Sequence, residues 1–240
     1  MDELRESILE LVREANPDNP LQFVRDIVKE DSLYKLRDMI SNCNECEICH
    51  CGKSLPHGNP NASIMVIGGT SRQNTNEDTL AFDNPEVKRI IDIVFYDLVG
   101  INPEEVFFMN TVSCFPKRIV DGQEINHTIA TTAELKNCSL FIEHAIEIVQ
   151  PLFIILMGSV ANTYFNSKYL NRTKSLKQSL GEVINIKGVP AIITQDPYYF
   201  IEANGKVDDE LLEEEKQEFI SHIAEAASFI AENYPEVPIY

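Results

Sequence analysis

The chain has 240 residues, 44% hydrophobic and 24% charged, with a formal net charge of −18. That composition suits one globular domain with helical appendages and excludes a low-complexity or disordered protein. The longest apolar run, residues 152–161, is too short to span a bilayer, and residues 1–14 alternate charged with apolar side chains rather than forming a leader. A cytoplasmic protein without membrane contact is expected, so the six cysteines need an explanation other than disulfides.

Residues 2–41 read as helices. Leu4, Ile8, Leu11 and Val12 recur at helical spacing, Pro17 and Pro20 mark a break, and Leu21, Val24, Ile27 and Val28 form a second stripe. A cysteine-rich loop over 43–51 follows, and then the period changes. Residues 63–67 form a short apolar run that reads as a buried strand feeding Gly68-Gly69. Residues 85–99 read as a helix with Val87, Ile90, Ile91, Val94 and Leu98 on one face. Further strands are predicted at 106–109 and 152–157, a long helix at 133–149 and a short one at 160–165. Residues 183–186 and 191–194 read as a strand pair around Gly188, and the last helix runs from about 208 to 232.

Fully apolar strands alternating with amphipathic helices predict an α/β fold: a three-layer αβα sandwich with a central, mostly parallel four-stranded sheet, plus N- and C-terminal helices. The divisions are an N-terminal helical extension over 1–41, a central domain over 42–207, and an acidic C-terminal helix over 208–240 packed on that domain. In such folds ligands bind beyond the carboxyl ends of the strands, here the segments after Ile67, Met109, Met157 and Thr194.

The charge is uneven. Residues 201–240 hold 11 acidic and 2 basic residues, whereas 41–200 hold 17 and 12. The acidic C-terminal segment reads as a solvated helix face, with a protein-binding tail as the alternative. A basic cluster, Lys168, Arg172, Lys174, Lys177 and Lys187, is a solvated loop or a surface for phosphates.

Cys43 and Cys46, two residues apart in a loop, form a ligand pair that needs two further ligands. A local completion uses Cys49 and Cys51 and makes a zinc or iron site. A distant one uses Cys114, just after the second strand, and Cys138, inside the following helix. Spacing alone leaves both open.

The neighbouring sequence carries a resemblance. The run from Leu55 through Gly58-Asn59-Pro60-Asn61-Ala62 to Gly68 resembles the opening of family 4 uracil-DNA glycosylases, where a C-x2-C pair precedes a G-x-G-N-P-x-A motif and the first strand. The likeness continues at Asn110-Thr111-Val112-Ser113-Cys114-Phe115-Pro116, at Cys138, and at Thr194-Gln195-Asp196-Pro197-Tyr198 in place of an H-P-A-Y loop. It covers about residues 40–200 and implies a structural [4Fe–4S] cluster held by Cys43, Cys46, Cys114 and Cys138. Cys49 and Cys51 are then expected nearby without ligating, Cys51 being a possible substitute ligand. The 23 residues between Cys114 and Cys138 exceed the family spacing, and the polar stretch 118–132 is expected to loop out.

The resemblance also assigns the pocket. Asn110 matches the asparagine that reads the uracil edge, since an amide offers donor and acceptor together, and Phe82 stands 14 residues after Gly68, where the stacking ring belongs. Gly68 and Gly69 fall in the motif after the first strand, but Gly69 stands where that motif has a water-positioning acid. Asp196 replaces the histidine that donates toward the departing base; an anionic carboxylate there repels a uracil anion. Asp196, Glu77 or Asp78 could serve instead as a base for water. Two readings follow: a hydrolase of N-glycosidic bonds in DNA repair, slow on uracil or retuned to another base, or an inactive member serving as a DNA- or protein-binding subunit in replication, repair or phage biology. A weaker third is an acidic DNA mimic.

Overall fold

The computed structural model describes residues 2–16, 19–46, 52–71, 77–115, 117–120, 123–126 and 130–237. Two helices open the chain, α1 (Asp2–Ala15) and α2 (Pro20–Ser41), the second capped by Asn19, whose side chain accepts from the Gln22 amide. Next come β1 (Ser54–Leu55), β2 (His57–Gly58), β3 (Ile64–Thr70), β4 (Thr79–Leu80) and α3 (Pro85–Ile91). A π-helical stretch (Asp92–Val99) continues α3, and a 3-10 turn (Pro103–Glu105) leads into β5 (Val106–Val112). The remainder is β6 (Lys117–Val120), β7 (Gln123–Asn126), α4 (Thr132–Val149), β8 (Phe153–Met157), α5 (Gly158–Leu170), α6 (Leu176–Ser179), β9 (Val183–Ile186), β10 (Val189–Thr194), α7 (Pro197–Ala203) and α8 (Asp209–Asn233).

The central sheet has the order β2-β5-β3-β8-β10-β9. Its inner four strands are parallel, as expected, and the short β2 and β9 extend it antiparallel at the two edges, making six strands in all. Alternation along each strand sorts the side chains into two cores. Met65, Ile67, Phe107, Met109, Ile154 and Leu156 join the core formed with α2, α4 and α5. Ile64, Val66, Phe108, Phe153, Ile155 and Ile192 join the one formed with α3, α7 and α8. The order of the parallel strands reverses between β3 and β8, which puts a crevice at their carboxyl ends.

Several local details differ from the sequence pattern. β3 runs on through both glycines to Thr70, and β5 runs to Val112, so Asn110 lies inside a strand, in register with Gly68. The helix after Pro85 turns π-helical, and wider winding rotates its inner face: Phe95 is buried and Leu98 is 56% exposed. Within α2 the buried residues are Leu33, Leu36 and Ile40, whereas Leu21, Val24, Ile27 and Val28 are exposed. Lys29 donates to the Pro60 and Val149 carbonyls and Arg37 to that of Pro56, which tie α2 to the domain. Part of the polar stretch after Cys114 forms an antiparallel hairpin, β6 with β7. On α8, Leu212, Phe219, Ile223 and Ile230 are buried beneath its acidic outer face. Among the described residues no helix is long and apolar enough to cross a membrane.

Candidate active site and thiol centre

The crevice at the ends of β3 and β8 is lined by Gly69, Thr70, Ser71, Leu80, Phe82, Asp83, Asn84, Asn110, Asp196 and Tyr198. Gly68 lies against two of these residues, Asn110 and Phe82. A Cβ there would lie 2.5 Å from Asn110 Oδ1 and 2.6 Å from Phe82 Cζ, so only glycine lets the amide and the ring converge. Asn110 is 6% exposed, and its Nδ2 donates to Ser54 Oγ at 2.8 Å, which fixes which way the amide faces. Thr111 Oγ1 donates to the Gly68 carbonyl at 2.6 Å and locks the two strands at this level.

Phe82 sits in a turn after β4 with φ of 60°, a left-handed conformation costly for a bulky residue and characteristic of functional sites. Its ring meets Phe108 edge-on at 5.7 Å, and Phe108 stacks on the His57 imidazole at 5.4 Å. His57 Nε2 lies 2.8 Å from the Ala81 carbonyl; burial holds its pKa below the ordinary value, with that carbonyl opposing. Phe82 separates two spaces. The crevice itself is narrow, about 20 Å³, room for a single water. On the other side lies a cavity of about 670 Å³ lined by His57, Phe108, Ile91 and Tyr96, with Asp92, Asp97 and Glu104 also lining it.

Asp196 reaches the crevice from the turn between β10 and α7. It is the N-cap of α7, accepting from the Tyr198 amide at 2.9 Å. Its carboxylate also lies against the start of α5: a Cβ on Gly158, whose φ is +87°, would come within 3.3 Å of Asp196 Oδ2. Two helix N-termini thus favour negative charge at this residue. A Cβ on Gly69 would meet Val160 at 3.2 Å. Of the other acids, Asp78 is engaged away from the crevice, accepting from Ser41 Oγ and the Lys53 amide, and Glu77 is exposed outside its lining.

The four cysteines gather at the α2–α4 side of the same sheet. Cys43 and Cys46 follow α2 and pack against a core that contains Cys114 and Cys138; all four are free thiols within electrostatic reach of one another. Burial pushes the Cys114 thiol up to about 11 and the Cys138 thiol to about 12. N–H donors point at three of the sulfurs: Lys53 Nζ at Cys114 (3.3 Å), Asn137 Nδ2 at Cys46 (3.4 Å) and the Ser113 backbone at Cys138. Four soft donors with N–H support fit an iron–sulfur group. Among the described residues no three of His, Cys, Asp and Glu close on a single-ion position. Cys49 and Cys51, needed for the zinc alternative, lie outside the described residues.

The basic cluster is largely neutralised. Lys168 and Lys187 pair with Glu143, Lys187 also with Glu147 at 3.8 Å, and Arg172 and Lys174 both meet Glu182 at 2.6 Å. It offers little field to phosphates.

The fold and crevice thus define a doubly wound α/β domain with its site at the topological switch point. The profile of the Uracil DNA glycosylase superfamily matches residues 55–224, and the chain belongs to that superfamily. It is similar to the type-4 uracil-DNA glycosylase of Sulfurisphaera tokodaii, 25% identical over 154 residues, which are 63% of this chain and 66% of that relative. The type-4 uracil-DNA glycosylase of Saccharolobus solfataricus is 26% identical over 167 residues, 68% of this chain and 73% of its own length. Ser54, Lys53 and Gly158 were not legible as site residues, because each acts only where two distant segments meet.

Proposed function

We propose that the protein binds a uracil-type base flipped out of DNA, and that its excision chemistry is slow on uracil or directed to a related base. The convergence of Phe82 and Asn110 over Gly68 carries this reading: a ring to stack on the base and an oriented amide to read its imide edge. A crevice of about 20 Å³ admits a base only if the Leu80–Asn84 turn moves. The cavity beyond Phe82 gives that ring somewhere to go, and its strained φ favours release.

Excision breaks the bond between base nitrogen and sugar carbon; the electron pair leaves with the base, and water adds to the sugar. An anionic Asp196 cannot donate to the departing base, and Gly69 brings no acid. Missing one such donor costs about 2.7–4 kcal/mol of transition-state stabilisation. In this reading Asp196 accepts the proton of the attacking water, while the backbone at Gly68 and Gly69 lines the base.

The same reading assigns Cys43, Cys46, Cys114 and Cys138 to a [4Fe–4S] cluster. When bound, the cluster supplies a covalent brace between the end of α2, the end of β5 and α4, with no redox step. The four free thiols and their N–H donors support that assignment.

A second reading, a catalytically inactive DNA- or protein-binding subunit, is favoured by the pairing of the basic cluster with Glu143, Glu147 and Glu182 and by the acidic face of α8. One assay separates them. Anaerobically purified protein, with its iron content measured, is incubated in excess with oligonucleotides carrying uracil, hypoxanthine or 5-substituted uracils, then treated with alkali. Strand cleavage at the modified base is expected. An intact iron-loaded protein that leaves every substrate uncut overturns the glycosylase reading.

A further inference from the structure

Among the described residues Lys53 is the one buried lysine or arginine, 4% exposed, and its Nζ donates to Cys114 Sγ at 3.3 Å. Burying an ammonium costs several kcal/mol, and proteins tolerate it where negative charge is close. A neutral thiol is a weak acceptor, whereas a metal-bound thiolate is a full anionic one. The position is held by backbone rather than by a loose surface loop. Lys53 forms an antiparallel bridge with Cys114, the Ser54 amide donates to Ser113 at 2.6 Å, and the Lys53 amide donates to Asp78 at 2.9 Å. The Thr79 amide in turn donates to the Lys53 carbonyl at 2.8 Å. The backbone at Lys53 is therefore fixed beside Cys114, which keeps the root of the side chain at the thiol centre.

We infer that Lys53 is a built-in outer-shell cation of the thiol centre: it offsets the negative charge of a four-thiolate cluster at its Cys114 corner, raises the cluster's reduction potential and slows iron loss. The inference rests on the cluster reading above. A fixed positive charge stabilises the state that has gained an electron, and hydrogen bonds to cluster sulfurs act in the same direction. Asn137, a neutral and exposed donor to Cys46, acts in the same way but more weakly, because its dipole is screened by solvent.

The test compares the full iron-loaded chain with Lys53→Met, Lys53→Arg and Asn137→Ala, all purified anaerobically. Midpoint potential is read by a spectroscopic redox titration, and iron release to a chelator is timed. Lys53→Met is expected to shift the potential to more negative values and to speed iron release about 10- to 100-fold. Lys53→Arg keeps the charge and stays close to wild type, and Asn137→Ala moves less than Lys53→Met. If Lys53→Met does not fold, Lys53→Gln carries the same expectation with a neutral side chain of similar reach. A neutral variant with wild-type potential and wild-type iron release overturns the role of Lys53. Failure of the wild-type chain to take up iron overturns the cluster reading instead.

Discussion

The thiol centre and the base crevice are joined by one short segment yet built very differently. Lys53 faces Cys114, Ser54 holds the Asn110 amide, and Leu55 pairs with Leu80 beside the Phe82 turn. On the thiol side Cys114 and Cys138 are buried, and two side-chain donors and one backbone donor support the sulfurs. In the crevice Gly68 and Asn110 are buried and interlocked, whereas Asp196 is only half-buried and Gly69 contributes no side chain. In the proposed reading, support and recognition are over-determined by packing, whereas the bond-breaking step would hang on one carboxylate. On that reading the scaffold can keep its fold and the Gly68–Asn110 geometry while its chemistry changes.

The strongest way to break that contrast is Cys138→Ala. Loss of the centre is expected to strip the iron and destabilise the protein by more than about 4 kcal/mol, the range associated with losing a metal site. At this chain length that lowers Tm by roughly 8–16 °C. Calorimetry alongside iron analysis checks it; retained iron with an unchanged Tm would show that the cysteine is ordinary core.

Asp196→Asn sharpens the other side. Asparagine caps a helix about as well as aspartate, so α7 should stay intact and Tm should hold. Any base excision should fall by about 10²–10⁴ if the carboxylate takes the proton of water. Undiminished cleavage in single-turnover assays reduces Asp196 to a cap.

Gly68→Ala tests whether recognition is truly interlocked. The new Cβ pushes Asn110 and Phe82 apart and should cost about 1–3 kcal/mol as overpacking, with weaker binding to an oligonucleotide carrying a modified base. Wild-type stability and binding would mean that the convergence is slack.

A smaller effect comes from His57. Its folded-state pKa lies below the ordinary 6.5 because of burial, while the unfolded state titrates normally. As pH falls through 6.5 the unfolded chain takes up a proton that the folded one refuses, so stability is full above that pH and declines below it until the folded imidazole also protonates. Denaturation curves across this range should slope accordingly, and His57→Phe should flatten the slope. His222, shifted down by burial as well, adds a component that persists in that variant. Smallest of all, Lys177→Ala should change stability by less than about 0.5 kcal/mol and leave the salt dependence of DNA binding unaltered, since the neighbouring cations already pair with glutamates.

The sequence by itself determined the order of the parallel strands and the longer helices, the parallel core of the sheet and the superfamily, because apolar periodicity and short motifs are local properties. It also singled out Cys43, Cys46, Cys114, Cys138, Gly68, Phe82 and Asn110 one by one. Only the tertiary structure decided how they stand together. That Gly68 is the space shared by Asn110 and Phe82 depends on the register of β3 against β5. The π-helical winding after α3, which buries Phe95 and leaves Leu98 exposed, depends on what the helix packs against. The neutralised basic cluster depends on Glu143, Glu147 and Glu182 approaching from other elements. Lys53 belongs to no motif of the sequence; it becomes a buried partner of Cys114 because β5 and the segment before β1 meet, a contact between residues 61 positions apart that no local pattern encodes.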